Sequence, residues 1–346
     1  MEYLNFGIHK PCPVSDQSHV ASLRRDIKDL IEPSRFDEAL EGRVLVVATE
    51  LATNLLKHTA QGGEVLIRRL EEDGRNGVEL IALDKGRGIA NVSRAMEDNV
   101  STTGSSGTGL GAIKRFSHEF DIHSEPGKGT AVFSRLWQKK SDNVRQKTRK
   151  RDGIEVGTVM LAMPGEDVCG DGCSAAKLQG CTVLLVVDGL GHGMEAALST
   201  QAAQALLEKC HQLLPAEIIA RMHEALRGTR GAAVSVASFD HTKRRITCSG
   251  VGNIAARIVS MEKKYGFVSL NGVVGFQRIK IQEFTEPWPE DGLLIMHSDG
   301  LKSRWDLSEY ANLSACHPAL IAAVLYRDFT RGRDDVTVMV AKWGGT

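Results

Sequence analysis

Apolar residues recur at helical or strand spacing along the whole chain, and the order of these patterns predicts its architecture. In the first 137 residues, Val20, Leu23, Ile27 and Leu30 share one helical face, and a second helix is predicted from about Phe36 to His58. A further helix is predicted near 110–118, and strands are predicted near 64–70, 77–83, 120–124 and 130–136. Helices, strands, one helix and more strands favour an α/β sandwich with helices on one face of a mixed sheet.

The pattern changes after residue 152, where predicted strands outnumber helices. The predicted helices are 194–210, 215–227 and 317–328. The predicted strands are 154–163, 181–187, 231–239, 243–250, 253–259, 267–270, 292–297 and 336–342. Many strands with a few long helices predict two packed sheets flanked by helices, so the chain as a whole is placed in the α/β (α+β) class.

A basic segment separates the two patterns. Residues 138–152 read QKKSDNVRQKTRKRD, with Val144 as the single aliphatic residue against seven Lys or Arg. This composition predicts a solvated linker and leaves open a phosphate-binding or nucleic-acid-binding patch. The predicted organisation is a first domain at 1–137, a linker at 138–152 and a second domain at 153–346.

Charge and cysteine content narrow the class of protein. The 43 Lys and Arg balance 43 Asp and Glu, which argues against broad nucleic-acid binding. No apolar run reaches 18 residues and the N-terminus lacks a secretory pattern, so neither a membrane span nor a signal peptide is expected. Seven cysteines without a regular framework predict free thiols in a reducing cytoplasm. Cys169, Cys173 and Cys181 are either small buried residues or members of an incomplete metal set.

A first group of residues has the composition of a nucleotide pocket. Glu50 and Asn54 stand four apart on the second predicted helix, and Asp84 ends the apolar strand VELIALD. A glycine-rich GTGLG, beginning at Gly107, opens the next helix. A carboxylate can accept a hydrogen bond from a base, glycines let phosphate approach, and a helix N-terminus attracts anions. Each part alone is more often a turn or a solvated face, so the prediction rests on their order and spacing.

These motifs resemble the GHKL ATPase family, in the serine-kinase branch of anti-sigma factors and RsbT-type switch kinases. ELATNLLKH is similar to the N box, DKGRGI and GTGLG to the two glycine boxes, and GKGT at 127–130 to the closing strand. The resemblance implies ATP and Mg²⁺, with Glu50 as general base, Asn54 on the metal and Asp84 at the adenine. It also implies further residues around the nucleotide: Gly86, Gly88, Gly107, Gly109, Gly111 and Thr130.

Two other functions are compatible with parts of this pattern in the first domain. A histidine kinase would need a phospho-accepting helical hairpin, and the stretch before the N box is short for one. A domain that binds nucleotide without phosphotransfer stays open, because glycines do not distinguish the two.

A second group of residues is acidic. Two apolar runs of the second domain stop on Asp-Gly, at Asp188 and Asp299, and GDG at Asp171 and RDDVTV at Asp334–Asp335 add further carboxylates. Two unit charges about 4 Å apart repel by about 4 kcal/mol at an effective dielectric near 20. These aspartates therefore either lie apart, as scattered Asp-Gly turns, or share divalent cations that activate water.

Residues 154–343 resemble the metal-dependent Ser/Thr phosphatase family, in its bacterial SpoIIE and RsbX branch. The matching segments are CGDG, VVDGLGHG, GVGN, HSDGL and RDDVTVMVA. The resemblance implies two Mn²⁺ or Mg²⁺ ions, with Asp188 bridging them and the Gly189 carbonyl, Asp171 and Asp299 as ligands. Asp334 and Asp335 compete for the last position, and no arginine that grips phosphate is identified.

Together, the two resemblances imply a bifunctional bacterial partner-switching regulator. It would phosphorylate a Ser or Thr of a STAS-domain antagonist or stressosome-type protein and dephosphorylate the same or a related protein. The alternatives are a phosphatase whose first domain only binds nucleotide or a partner, and a binding switch in which neither site turns over. Neither nucleic acid nor membrane is expected as a partner, and a homodimer stays open.

Overall fold

The chain folds as two compact units that do not coincide with the two halves of the sequence. The computed structural model describes residues 2–32, 36–72, 74–97, 109–138, 153–276 and 278–344. The N-terminal unit comprises His9–Lys147 and Asp306–Arg327, and the C-terminal unit comprises Met1–Ile8, Thr148–Trp305 and Asp328–Thr346. The predicted boundaries at 137 and 153 therefore differ from this division in two segments, the first eight residues and 306–327.

The described residues before the basic segment form ten helices and strands. They are β1 (Glu2–Asn5), β2 (Lys10–Val14), α1 (Gln17–Ile31), α2 (Glu38–His58), β3 (Gly63–Glu72), β4 (Arg75–Asp84), α3 (Val92–Ala95), α4 (Gly109–Phe116), β5 (Glu119–Glu125) and β6 (Gly129–Trp137). The predicted helices and strands of this half are confirmed. The short strands β1 and β2 were not predicted.

The elements after the basic segment also follow the predicted order. They are β7 (Ile154–Leu161), β8 (Asp171–Leu178), β9 (Cys181–Gly189), α5 (Gly193–Cys210), α6 (Pro215–Ala225), β10 (Ala232–Asp240), β11 (Arg245–Val251), β12 (Ala255–Val259), β13 (Lys264–Gly266), β14 (Glu283–Pro287), β15 (Leu293–His297), α7 (Pro318–Phe329) and β16 (Val336–Trp343). The strand predicted at 267–270 is wrong, because the three-residue β13 ends before it. Strands β8 and β14 were missed.

The N-terminal unit is built on a five-stranded sheet in the order β2-β3-β4-β6-β5. Its four strand pairs are all antiparallel, so the predicted mixed sheet is wrong. The hairpin β5–β6 places β6 antiparallel beside β4. One sheet face packs on the helices through alternate residues such as Val65, Leu80 and Val132, which join Leu51 and Leu55 of α2 in one core.

The segment Asp306–Arg327 covers the opposite face of this sheet. His317 stacks on Phe133 with 4.1 Å between ring centroids. The Tyr326 hydroxyl donates to Glu64 Oε2 at 3.5 Å. A helix encoded far along the sequence thereby completes the N-terminal unit.

A buried ion cluster lies on the same sheet face. Glu79 is fully buried and accepts hydrogen bonds from Arg68, from Arg135 Nε at 2.5 Å and from His9 Nε2 at 3.0 Å. Burial alone raises the pKa of Glu79, but the charges of Arg135 and Arg68 outweigh it and hold the pKa well below its usual value. Each buried charge of the cluster has an oppositely charged partner, which offsets the free-energy cost of removing it from water.

The C-terminal unit is a sandwich of two antiparallel sheets. Their strand orders are β1-β8-β9-β10-β11-β14 and β13-β12-β15-β16-β7. The core between them contains Leu184 of β9 and Met296 of β15. On the outer face of the larger sheet, Val183 packs in a second core with Leu207 of α5 and Ile218 of α6. The predicted β-sandwich with flanking helices is confirmed.

The apolarity of the helices and the state of the cysteines are two further features of the fold. Among the described residues, no helix combines the length and apolarity needed to cross a lipid bilayer. All seven cysteines fall within the described residues, and each is a free thiol.

Candidate active sites

Helix α2 positions the first pair of predicted site residues. It begins after Asp37, whose carboxylate accepts from the Leu40 amide at 2.6 Å, and it packs Leu51 and Leu55 into the core. Glu50 and Asn54, one turn apart, remain half-buried at the start of α4. A Cβ on Gly109, the first residue of α4, would lie 3.1 Å from Asn54 Oδ1 and 3.4 Å from Glu50 Oε2. A larger residue at this point would crowd both polar side chains.

The side-chain amide of Asn54 is not satisfied by any of the described residues. Its Nδ2 is buried and has no hydrogen-bond partner among the described residues. A buried polar group without a partner costs free energy unless a ligand or water satisfies it. The Asn54 side chain therefore fits a site that binds a polar ligand between α2 and α4.

Asp84 at the end of β4 is oriented by backbone donors. Its Oδ1 accepts from the Gly86 amide at 2.7 Å and from the Thr130 amide at 3.2 Å. Burial raises the pKa of this carboxyl, and the two backbone hydrogen bonds oppose that rise. Ser124, which the sequence did not reveal, bonds Thr130 Oγ1 at 2.9 Å and so fixes the strand that faces Asp84.

The predicted glycines differ in how clearly the structure explains them. Gly88 has φ +70°, and a Cβ there would lie 1.9 Å from the Glu125 carbonyl oxygen. Gly86 lies against the Asp84 carboxylate, and Gly111 is buried on α4. Gly107 lies outside the described residues.

In the C-terminal unit, strand pairing brings together two of the predicted carboxylates. Asp171 opens β8 and Asp188 lies near the end of β9, and their Cα atoms are partners in the antiparallel register. Asp171 is buried, and its Oδ2 accepts from Ser298 Oγ at 2.6 Å. Burial and the neighbouring Asp188 charge raise the pKa of Asp171 well above its usual value. Gly189 donates its amide to the Gly170 carbonyl at 3.1 Å, next to Asp171.

Asp188 interacts with the remaining carboxylates as well. Burial, followed by the charges of Asp299, Asp334 and Asp335, raises its pKa to about 7. Asp299 follows β15, and its Oδ2 accepts from Asn253 Nδ2 at 2.7 Å. The structure therefore brings the predicted aspartates into one electrostatic neighbourhood.

Asp334 and Asp335 occupy different environments. Asp335 is buried, and its two oxygens accept from the backbone amides of Met163 at 2.8 Å and Gly170 at 2.9 Å. Asp334 is half-buried and accepts from the Asp335 amide at 3.0 Å. Burial and the Asp299 charge raise the pKa of Asp334. Asp335 therefore braces the Gly170 loop, whereas the Asp334 carboxylate is the more exposed of the two.

The donor chemistry fits divalent cations, although the side chains do not form a closed cage. Within the described ranges, no three His, Cys, Asp or Glu side chains stand close enough together to enclose an ion. Carboxylate oxygens are the ligands that Mg²⁺ and Mn²⁺ prefer, and a cation would relieve the repulsion that raises the pKa of Asp188. The acidic residues therefore suit divalent cations because the positive charge of the cations would offset the repulsion between the carboxylates.

The loop after Asp188 carries further polar groups. His192, at the N-cap of α5, has its Nδ1 2.7 Å from Glu166 Oε1. Sequence reasoning missed Glu166, which lies in the loop between β7 and β8 and belongs to no motif. It also missed Ser298, although this residue directly precedes Asp299 in HSDG.

Comparison with known proteins matches the two halves of the sequence to two different families. Residues 14–135 match the histidine kinase-like ATPase domain, and residues 178–344 match the stage II sporulation protein E (SpoIIE) family. Serine/threonine-protein kinase RsbT of Bacillus subtilis (strain 168) is 34% identical over 97 residues, which is 28% of this chain and 72% of RsbT. Phosphoserine phosphatase RsbX of the same strain is 26% identical over 153 residues, which is 44% of this chain and 77% of RsbX.

Solved structures resemble the chain in part. A structure from work on the bacterial stressosome is 30% identical with a TM-score of 0.52, and the match covers 55% of this chain and all of that one. RsbX in complex with magnesium is 23% identical with a TM-score of 0.51, covering 57% of this chain and 98% of that one. The second likeness shows the fold. The chain thus belongs to the RsbT kinase family through its ATPase domain, and it carries a SpoIIE-type phosphatase domain in its second half.

Proposed function

We propose that this chain is a bifunctional partner-switching regulator. Its N-terminal unit transfers phosphate from ATP to a Ser or Thr of a STAS-domain or stressosome-type protein. Its C-terminal unit hydrolyses phosphoserine or phosphothreonine on the same or a related protein. The observation that carries the proposal is the acidic cluster, in which the charges of Asp299, Asp334 and Asp335 contribute to raising the pKa of Asp188 to about 7.

In the N-terminal unit, the described residues suit a nucleotide with Mg²⁺. The Asp84 carboxylate, held by the Gly86 and Thr130 amides, would accept a hydrogen bond from the adenine amino group. Asn54 lies beside Gly109, its amide has no partner in the described part of the chain, and its oxygen would be presented to Mg²⁺. Glu50 lies at the same helix start and would take the proton from the substrate hydroxyl.

In the C-terminal unit, Asp171, Asp188, Asp299 and Asp334, with the Gly189 carbonyl, would hold two Mg²⁺ or Mn²⁺ ions. When bound, such ions lower the pKa of water and neutralise charge on the phosphoryl group. The protein's own contribution is orientation. Asn253 and Ser298 each hold one carboxylate oxygen, at 2.7 Å and 2.6 Å, and thereby limit how far the acidic side chains can turn away.

The partner class rests on the relatives. The chain is related to a kinase and to a phosphatase whose names assign them serine or phosphoserine chemistry, and to a structure from a stressosome study. Free thiols at all seven cysteines are compatible with a cytoplasmic location. The homodimer remains a prediction.

A two-stage labelling experiment tests both activities. The full chain is incubated with labelled ATP, Mg²⁺ and candidate STAS proteins, and Mn²⁺ is then added in excess after ATP is removed. We expect label to appear on the STAS protein in the first stage and to leave it in the second. Absence of Mn²⁺-dependent or Mg²⁺-dependent loss of label, and of hydrolysis of p-nitrophenyl phosphate, would contradict the phosphatase assignment.

Two variants separate the sites. Glu50→Ala should abolish phosphotransfer while ATP binding persists, and Asp299→Asn should stop hydrolysis while phosphotransfer persists. Unchanged phosphotransfer by Glu50→Ala would show that Glu50 is not the base. Binding of ATP by the wild-type chain without any transfer to the candidate proteins would favour a nucleotide-binding regulatory unit.

A further inference from the structure

Arg230 lies beside the loop that follows Asp188. Strand β10 pairs with β9 so that Ala233 opposes Asp188 and Ala232 opposes Gly189. The Leu190 amide donates to the Gly231 carbonyl at 3.0 Å, which extends this pairing beyond the strands. The fold therefore places the residue before Gly231 beside the loop that follows Asp188.

The turn that carries Arg230 is held at both ends. Thr229 Oγ1 donates to the Leu226 carbonyl at 2.7 Å and accepts from the Gly231 amide at 3.0 Å. Gly231 has φ +81°, and a Cβ there would lie 2.7 Å from the Val274 carbonyl oxygen. The backbone beneath Arg230 has little freedom, so the side chain starts from a defined position.

The guanidinium of Arg230 contacts the loop backbone itself. A Cβ on Gly191 would lie 2.8 Å from Arg230 Nη1, so the group lies against Gly191. Its Nη2 pairs with Glu195 in the first turn of α5, and the two side chains are 51% and 64% exposed. The Arg230 guanidinium thus lies between solvent and Gly191, which follows Asp188 by three residues.

We propose that Arg230 binds the phosphate of the phosphoserine or phosphothreonine substrate, and that Glu195 occupies its guanidinium until phosphate arrives. This role rests on the proposed phosphatase function. A guanidinium offers parallel N–H donors that match two phosphate oxygens. Exchange of Glu195 for phosphate costs little, because an exposed ion pair contributes little stability. The N-terminus of helix α5 also favours an anion such as phosphate through the helix dipole. The His192 side chain at the N-cap makes no hydrogen bond to the first backbone amides of this helix.

Inorganic phosphate is the probe, and calorimetry of the full chain with saturating Mn²⁺ is the first measurement. Arg230→Ala should raise the dissociation constant of phosphate by about 10- to 100-fold, as expected for loss of hydrogen bonds to a charged group. Arg230→Lys should fall between Arg230→Ala and the wild type, because it retains the charge without the fork. The matched control is Arg227→Ala, since Arg227 is 63% exposed and pairs with Glu224 at 3.0 Å.

Kinetics with a phosphoserine peptide provide the second measurement. Arg230→Ala should raise KM by a similar factor with Mn²⁺ affinity unchanged, and Glu195→Gln should tighten phosphate binding. Equal phosphate affinity in the wild type and Arg230→Ala would overturn the proposal, as would an equal loss in Arg227→Ala. A wild-type chain that binds phosphate through Arg230 but hydrolyses nothing would instead contradict the proposed phosphatase function, and thermal melts of each variant verify folding.

Discussion

Replacing Asp188 with asparagine removes one charge from the acidic cluster without changing the size of the side chain. In the metal-free protein, burial and the charges of Asp299, Asp334 and Asp335 raise the pKa of Asp188 from 3.8 to about 7. The folded state therefore binds more protons than the unfolded state between these values, so metal-free stability falls as pH rises through that window. Below it both states are protonated and the effect is absent.

The size of the effect follows from the shift. A rise of roughly 3 units, at about 1.4 kcal/mol each, corresponds to about 4 kcal/mol at pH 8. Because the neighbouring carboxylates share this repulsion, we expect Asp188→Asn to stabilise the metal-free C-terminal unit by about 2 to 4 kcal/mol. With Mn²⁺ bound, the wild type should become more stable than Asp188→Asn. An ion at one hundred times its dissociation constant stabilises the wild type by about 2.7 kcal/mol.

Urea unfolding in EDTA at pH 5 and pH 8, followed by Mn²⁺ titration, measures both effects. The wild type should lose stability between the two pH values, and Asp188→Asn should lose less. Asp240→Asn is the control, because hydrogen bonds from Thr242 and Lys243 lower the pKa of Asp240 to about 2 and its replacement should not stabilise. A metal-free Asp188→Asn protein less stable than the wild type at pH 8 would refute the reasoning.

Two further predictions concern the N-terminal unit. Gly88→Ala places a Cβ 1.9 Å from the Glu125 carbonyl oxygen at φ +70°, so we expect a loss of about 3 kcal/mol or more and weaker ATP binding. Gly74→Ala, at φ +65° and with no described atom within 4 Å of the added Cβ, should cost only about 1 to 2 kcal/mol in the same urea titration. Equal losses in the two variants would contradict the argument. Glu79→Gln removes the carboxylate that Arg68 and Arg135 share, leaving Arg135 with Glu119 Oε2 at 3.4 Å, and should cost about 3 to 5 kcal/mol. Because the pKa of Glu79 is held well below 4.5, the ionised carboxylate stabilises the folded state above that pH, and this stabilisation is lost as the solution is acidified through the lowered pKa. A Glu79→Gln protein with the same acid-unfolding curve as the wild type would show that the ion pairs contribute nothing to stability.

Strand β9 was predicted correctly because its buried side chains are large enough to produce a clear apolar pattern. Strand β9 is buried through Val183, Leu184 and Val186, and its apolar run pointed directly to Asp188. Strand β8 is buried as well, but through small residues such as Cys173 and Ala175, which carry no comparable signal. Its role became visible only through pairing.

Hydrogen bonds and strand pairings between residues far apart in the chain could not be predicted from the sequence. Strand phase did not separate Asp334 from Asp335, because the difference lies in amides of Met163 and Gly170 that are 172 and 165 residues away from Asp335. Arg230 belongs to no motif, and the pairing of β9 with β10 determines its neighbours. Motifs identify which chemistry is present, whereas the supporting contacts require the three-dimensional arrangement.

The segment Asp306–Arg327 has a consequence for how such a protein can be divided, by proteases or by gene fission. It lies in the sequence between Asp299 and Asp334, yet it shields the Phe133 face of the sheet that carries Asp84. A break at 139–152 would leave the first fragment without this helix, and the second without the edge strand at Glu2–Asn5. Each polypeptide would expose an apolar surface that the intact chain buries, so we expect cleavage in this segment to destabilise both units.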